Sequence, residues 1–428
     1  MKFTVLTYGT EGDTRPLAFL SRALMDAGHD AVLLGDASTL GAARSLGVPN
    51  VALAGDIRGT IDPRQGISGV VNEGTGFGST AKALARIANA NAVQWLRTTV
   101  DVGRDSDAIL VGGLAAFVGF SAAEALRIPA IGLGMIPITP TRAFPSPFLP
   151  PGRLPAWLNR ASQALVNQVL WRAFRRQTNA ARRAVCALPA RRRLWRDIPM
   201  LYGISPTLCP PPPDWPGNVT LCGQWTRPAT EWSPPPALRD FLAAGEPPLY
   251  IGFGSMVGFE AAAMRRALIT AACGRRTVFQ PGWSGIDAGG LPANFHVVGD
   301  APHDWLFPQM SVVVHHGGSG TTHSAARAGV PTIALPFAGD QFFWAERLVR
   351  LGLSPVRLDG RNLVAGRLAA AIEAAQRNDI RRRAAEVGAR MRGEDGLATA
   401  VGLIEMSMAG GPSPVRRTPG QERPPAID

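Results

Sequence analysis

One stretch restricts the choice of fold more than any other: Val312-Val313-Val314-His315-His316-Gly317-Gly318-Ser319-Gly320-Thr321-Thr322-His323-Ser324-Ala325-Ala326-Arg327-Ala328-Gly329-Val330-Pro331. A short, continuous run of valines bounded by turn residues reads as a strand buried on both faces. The glycines end it, and a helix follows. A strand feeding a helix through a glycine turn is the building unit of a parallel sheet covered on both sides. The glycines also let a ligand approach the backbone closely, and Ser319, Thr321 and Thr322 add hydroxyl donors. Free amides and the dipole at the helix start favour an anion such as a diphosphate. His315, just before the loop, can donate to a phosphate oxygen. A glycine-rich turn with no ligand has the same local pattern, and this segment alone does not separate the two.

Two halves of the chain repeat the unit. In the first, Phe3 to Thr7 is an apolar run, Gly9 and Gly12 punctuate it, and helical periodicity runs from Pro16 to Leu24. Further strands are read at 30–35, 108–112 and 129–134. In the second, strands are read at 248–253, 276–280, 297–298, 311–314 and 331–335, with a helix at 261–272 and a last helical segment at 367–408. The expected fold class is α/β: two Rossmann-like, doubly wound parallel-sheet domains facing a cleft. Residues 1–224 form the first domain and 225–237, rich in proline, the linker. The second domain covers 238–409, its final helix packing back on the first, and a tail at 410–428 reads as disordered.

A second loop, Pro336-Phe337-Ala338-Gly339-Asp340-Gln341-Phe342-Phe343-Trp344, also follows a strand and so lands on the same rim of the sheet. An acid and an amide side by side can hold several sugar hydroxyls. Gly252-Phe253-Gly254-Ser255-Met256 places a third small-residue turn on that rim.

Composition sets limits on partners and place. The 46% hydrophobic content allows large cores. Cys186, Cys209, Cys222 and Cys273 have no C-x-x-C pairing and no metal-ligand spacing, which fits free thiols in a reducing cytoplasm. The uncharged stretch between Asp107 and Glu124 falls short of the roughly 20 residues that span a bilayer. Net charge is +12, carried by arginine, with Lys2 and Lys82 the only lysines. Either these arginines are a solvated surface, or they bring the chain into peripheral contact with an anionic membrane. No nucleic-acid-binding motif accompanies them.

The segment from His315 to Gln341 resembles the nucleotide-sugar signature of family 1 glycosyltransferases, which have the GT-B fold. Gly9-Thr10-Glu11-Gly12-Asp13-Thr14-Arg15-Pro16 is similar to the N-terminal loop of the bacterial antibiotic and sterol branches. Residues 139–147, 201–206, 214–216 and 223–225 resemble the sterol 3-beta-glucosyltransferase-type subgroup, and residues 55–100 match least. The resemblance implies that His315 contacts the diphosphate of a UDP- or TDP-sugar. Gly317, Gly318, Ser319, Gly320 and Thr321 then cradle it, with Ser255 and Gly12 close by. It implies that Asp340 and Gln341 bind the sugar and that the segment holding His303 meets the base and ribose. No cofactor and no metal are implied, and the acceptor is a lipophilic alcohol.

Transfer needs a base to take the acceptor proton, and Asp13 is the candidate, both from its place on the rim and from the resemblance. Its competing role is to cap the helix that follows. His316 and His323 are read as packing or supporting residues. Asp105-Ser106-Asp107 imitates a metal-binding D-x-D motif, but it precedes its strand and so belongs to the wrong sheet edge. The helical stretch 154–185 is either a core helix or an interfacial one. Trp157, Trp171 and Trp195 are candidates to line an apolar acceptor pocket. The other classes are a silent nucleotide-binding auxiliary protein and a nucleotide-sugar epimerase on the same fold.

Overall fold

A computed structural model of the chain describes residues 1–61, 77–228, 232–254, 256 and 259–410. Their backbone forms two all-parallel sheets. The first contains β1 (Lys2–Leu6), β2 (Asp30–Asp36), β3 (Asn50–Leu53), β4 (Ala108–Val111), β5 (Ala130–Gly134), β6 (Met200–Tyr202) and β7 (Val219–Leu221), in the order β3-β2-β1-β4-β5-β6-β7. Its helices are α1 (Glu11–Asp26), α2 (Gly41–Ser45), α3 (Ile57–Ile61), α4 (Phe77–Gly103), α5 (Ala116–Leu126) and α6 (Asn159–Cys186).

After α7 (Pro236–Ala243), the second sheet contains β8 (Leu249–Gly252), β9 (Thr277–Gln280), β10 (Phe295–Val297), β11 (Val312–His315) and β12 (Thr332–Ala334), in the order β10-β9-β8-β11-β12. Its helices are α8 (Ala261–Ala272), α9 (His303–Leu306), α10 (Ser319–Ala328) and α11 (Gln341–Arg350). The chain closes with α12 (Ala365–Ala375), α13 (Asn378–Arg392) and α14 (Gly396–Met408). The single helical stretch read at 367–408 is thus three helices. Arg377 turns extended before α13, and Asp395 starts α14 afresh by accepting the Ala398 amide on its side chain.

The valine run follows from burial on both faces. Val312 and Val314 pack into one apolar cluster with Ile251 and Ile333, while Val313 faces another with Tyr250 and Phe307. In β4, Ile109 and Val111 likewise face one cluster and Ala108 and Leu110 the other. Such strands have no solvent face, so their sequence does not alternate.

Strand order reverses beside the first strand of each half: β1 lies between β2 and β4, and β8 between β9 and β11. Loops leaving strands at such a reversal diverge, and a crevice opens at their carboxyl ends. The halves are also joined by packing. Tyr202, Ile204 and Leu208 share an apolar cluster with Phe343, Trp344, Leu348 and Met391. Helix α14 returns to the first half, where Ala400, Val401 and Ile404 join Leu17, Leu20 and Leu24. Its start passes so close to Gly223 that a Cβ on Gly396 would lie 2.5 Å from the Gly223 carbonyl carbon.

Candidate functional site

Contacts across the cleft bring the two crevices together. Arg15 of α1 pairs with Asp300 at 3.4 Å, and the Arg58 guanidinium lies 5.3 Å from the Trp283 ring centre. Asp13 in the first half is among the charges that act on Asp340 in the second.

On the second-half side, β11 delivers His315 into full burial. Its Nδ1 accepts the Gly317 amide at 3.0 Å, which leaves the proton of the neutral ring on Nε2. That Nε2 is buried and has no partner among the described residues. Burial, then the neighbouring His316 and His303, hold the ring's pKa well below the ordinary histidine range, so it stays neutral. An unmatched buried donor costs about 1–3 kcal/mol. An acceptor oxygen in the adjoining loop would remove that cost.

The loop itself is shaped to admit one. Gly317 has φ +86°, in the left-handed region, and a Cβ there would come within 3.2 Å of the Gln341 carbonyl oxygen. Gly318 is the N-cap of α10 and brings no side-chain cap. The amides of Ser319, Gly320 and Thr321 open the helix, where no intrahelical acceptor exists. Gly320 is exposed and Thr321 half-buried. Of the hydroxyls, Ser319 Oγ donates to the Met135 carbonyl at 2.9 Å and Thr322 Oγ1 to the Gly318 carbonyl at 2.8 Å. Ser319 therefore offers its amide to the cleft while its hydroxyl ties α10 to the other half.

Asp340 is the half-buried N-cap of α11, and one carboxylate oxygen accepts Trp344 Nε1 at 2.8 Å. Burial pushes its pKa up to about 6, and the Asp13 charge adds to the rise. Gln341 departs from expectation. Its Oε1 accepts the amides of Phe337 (2.8 Å) and Ala338 (3.1 Å), and its Nε2 donates to Met256 Sδ at 2.9 Å. The amide closes the loop from within, where a sugar-binding role would have presented it to the cleft. Ser255 lies outside the described residues.

His303 opens α9, half-buried and stacked on Phe307 with ring centres 4.2 Å apart. Burial and the nearby Arg15 bring its pKa to about 4. His316 stands next to this group; a Cβ on Gly318 would meet its Nε2 at 2.3 Å, and one on Gly254 its Cε1 at 3.0 Å. Its Nδ1 is buried and unpartnered among the described residues, and burial lowers its pKa to about 4. His316, read as a packing or supporting residue, thus stands beside the loop, as a histidine doublet at a strand end allows, where successive side chains point to opposite faces. The two rings stand 6.3 Å apart at 86°.

His323, within α10 itself, ties the site to the first half. Its Nδ1 lies 2.7 Å from the Ser319 carbonyl, and its Nε2 accepts the Ser205 amide at 3.1 Å.

On the first-half side, Asp13 sits in the first turn of α1, not in the turn before it. One oxygen accepts the Thr10 amide at 2.9 Å and the Thr10 hydroxyl at 3.3 Å. Burial raises its pKa, which strengthens it as a proton acceptor, and the Thr10 bonds partly offset the rise. Gly12 is exposed beside it. Cap and rim position coexist in one residue. Asp107 is remote: it accepts the Lys2 amide at 2.7 Å, at the amino end of the sheet. Among the described residues no group of three His, Cys, Asp or Glu side chains is placed to hold a metal.

Among the described residues the tryptophans meet one another, the protein or solvent. Trp171 is buried against Phe117 and Trp195, Arg191 lies over the Trp195 ring, and Trp157 projects into solvent. An aromatic on a helix of this length serves the core or the surface according to its phase, which composition does not give.

Residues 278–399 match the family model for the C-terminal domain of erythromycin biosynthesis protein CIII-like proteins. The sterol 3-beta-glucosyltransferase of Aspergillus fumigatus is 33% identical over 423 residues, covering 94% of this chain and 30% of that protein. For the Saccharomyces cerevisiae protein of that name the values are 34% over 430 residues, 94% and 35%. The chain spans about a third of the length of these curated relatives. Both relatives come from fungi.

Among solved structures, the glycotransferase of kitacinnamycin superposes with a TM-score of 0.68 at 21% identity, covering 95% of this chain and 99% of that one. The glycosyltransferase VinC in complex with DTDP gives 0.63 at 18%, covering 96% and 100%. At these identities the likeness is one of fold, and it extends over both sheets. Taken with the facing crevices, this gives the chain the GT-B fold of these glycosyltransferases, with an EryCIII-like C-terminal domain over residues 278–399.

Proposed function

We propose that this chain is an inverting, metal-independent transferase that moves a hexose from a nucleotide-sugar, UDP-linked by preference over TDP-linked, to the hydroxyl of a small lipophilic acceptor such as a sterol, polyketide or lipid. The observation that carries the proposal is the pairing, across one cleft, of a half-buried carboxylate with a helix start open to anions. Asp13 supplies the first. The uncapped α10, with the unpartnered His315 Nε2–H beside it, supplies the second.

In this reading residues 1–224 bind the acceptor, 225–237 link the domains and 238–409 bind the donor. The acceptor oxygen attacks the anomeric carbon while its proton passes to Asp13. The bond to the diphosphate breaks on the opposite face, and its electron pair leaves with the phosphate oxygen. The α10 amides and His315 stabilise that developing charge. Inversion follows from the single displacement. His303 and His316 border the same space, and Asp340 meets sugar hydroxyls. The sterol-named relatives and the structure holding DTDP support the acceptor and donor classes. A cytoplasmic, peripherally membrane-associated protein fits such an acceptor. Among the described residues no helix is long and apolar enough to cross a membrane.

The test offers UDP- and TDP-hexoses with a panel of sterol, macrolide and sugar alcohols and reads products by mass spectrometry. Glycosylation of the lipophilic alcohols, with rates unchanged by EDTA, is expected. Donor binding with no turnover on any alcohol would identify a silent auxiliary protein, and a changed hexose still on its nucleotide an epimerase.

A further inference from the structure

The first half carries a surface that the proposed chemistry does not use. Residues 125–196 contain thirteen arginines and no Asp, Glu or Lys. Against a formal net charge of +12, this stretch supplies all of the excess, and the remaining residues sum to −1. Arg182 is buried and holds Glu124 through two bonds of 2.9 Å, and Arg191 shares that carboxylate at 3.4 Å. Arg153, Arg160, Arg172, Arg175, Arg176 and Arg183 are exposed and form no ion pair among the described residues. Asp214 feels the Arg160 charge but is engaged by Thr141 and the Arg142 amide.

The same region exposes apolar side chains. Trp157 is 79% exposed, Leu165 63%, Val169 53% and Leu170 36%. Helix α6 buries Trp171, Phe174, Thr178 and Ala181 on its inner side, so these groups have no place in the core. Leu165 and Arg172 lie seven residues apart, as do Val169 and Arg176, which puts each pair on one face of the helix. The outer face is therefore apolar in its first turns and basic in the next.

We propose that this face of α6 docks on an anionic lipid bilayer. Trp157, Leu165 and Val169 enter the boundary between headgroups and acyl chains, and the exposed arginines lie on lipid phosphates. Both halves of the surface find partners there at once, which is the arrangement an interfacial helix needs. An acidic protein would meet the cations and leave the apolar stripe in water. A second copy of the chain would set like charges against each other. Docking does not depend on glycosyl transfer; only its use, collecting a lipophilic acceptor, rests on the function proposed above.

The full chain is mixed, without donor or acceptor, with vesicles of phosphatidylcholine alone or with phosphatidylglycerol, and the bound fraction is read by co-flotation. Binding to the anionic vesicles that weakens with salt and is at least tenfold lower on the neutral ones is expected. Leu165→Ser with Val169→Ser should reduce it by about tenfold or more. Arg172→Glu with Arg176→Glu should reduce it by at least about fivefold per arginine. Circular dichroism and melting should stay unchanged, because all four side chains are exposed. Absence of binding, equal binding to both vesicle types, or variants that bind like the parent chain would overturn the proposal. So would light scattering that finds a dimer dispersed by the same substitutions, which would make a second copy the occupant.

Discussion

Helices α1 and α10 begin on opposite sides of the same cleft and begin in opposite ways. The first turn of α1 carries its own acids, Glu11 and Asp13, and Asp13 takes the Thr10 amide. The first turn of α10 carries no acid, its N-cap is Gly318, and nothing from its own side chains closes the exposed amides. Both ends have the same backbone physics, an excess of donors and a positive dipole end. In α1 that field is met from within and fixes a carboxylate in position. In α10 no side-chain cap meets it, which is what the proposed donor site requires. A helix start satisfied by its own sequence can orient a base, whereas only an unsatisfied one can receive a diphosphate.

The largest effect tests the first half of that contrast. Asn at position 13 keeps an amide oxygen for the Thr10 amide but cannot take the acceptor proton. Asp13→Asn should therefore lower turnover by about 10²–10⁴-fold, with donor affinity and melting temperature nearly unchanged. A variant that keeps most of its turnover would reduce Asp13 to a cap. On the other side, His315→Ala removes the ring N–H that has no partner among the described residues. Donor affinity, measured by calorimetry, should fall by roughly tenfold to a hundredfold, the worth of one hydrogen bond to a charged group. Unchanged affinity would take His315 out of the site.

How much of this was legible in sequence follows the same division. The valine run of β11 and the helix at 261–272 were read correctly because burial and periodicity are local properties. Strands β3, β6 and β7, of four, three and three residues, were not read as strands; runs this short carry little periodicity, and β4 and β12 were read from continuous apolar runs instead. His315 was legible because strand, histidine and glycines are contiguous. The capping contact of Asp13 was legible because capping acts over three residues. Ser319 and Gln341 were not, since their side chains are engaged by Met135, at a separation of 184 residues, and Met256, at 85. The likeness of the motif pointed to residues along this loop, but not to which of their atoms are already engaged by the protein.

A smaller effect comes from making the two helix starts alike. Position 320 is exposed, and a Cβ there meets nothing within 4 Å. Gly320→Asp places a carboxylate in the first turn of α10, as in α1. The helix should gain about 0.3–1 kcal/mol from the dipole interaction, seen as a slightly higher melting temperature. The nucleotide diphosphate should bind about tenfold more weakly, since a fixed anion now occupies its field. A variant that binds donor normally would mean that the α10 start does not hold the phosphates.

The smallest effect concerns the Asp340 carboxylate on the second-half rim. Asp340 has its pKa pushed up to about 6 from an ordinary 3.8, chiefly by burial. A carboxyl raised on folding favours the native state while protonated. Its contribution is complete below about pH 3.8 and is lost as pH rises through 6. Asp340→Asn retains an acceptor for Trp344 Nε1 and removes the charge. The variant should match the parent chain near pH 4 and exceed it by about 1 kcal/mol above pH 6, a melting shift of a few degrees. A difference that does not grow between those limits would show that the carboxylate is solvated. The Asp13 charge contributes to the rise, so in an Asp13→Asn background the window should move to lower pH. Absence of that displacement would mean that the two carboxylates do not face one another across the cleft, and with it would fall the geometry that assigns base and donor site to opposite rims.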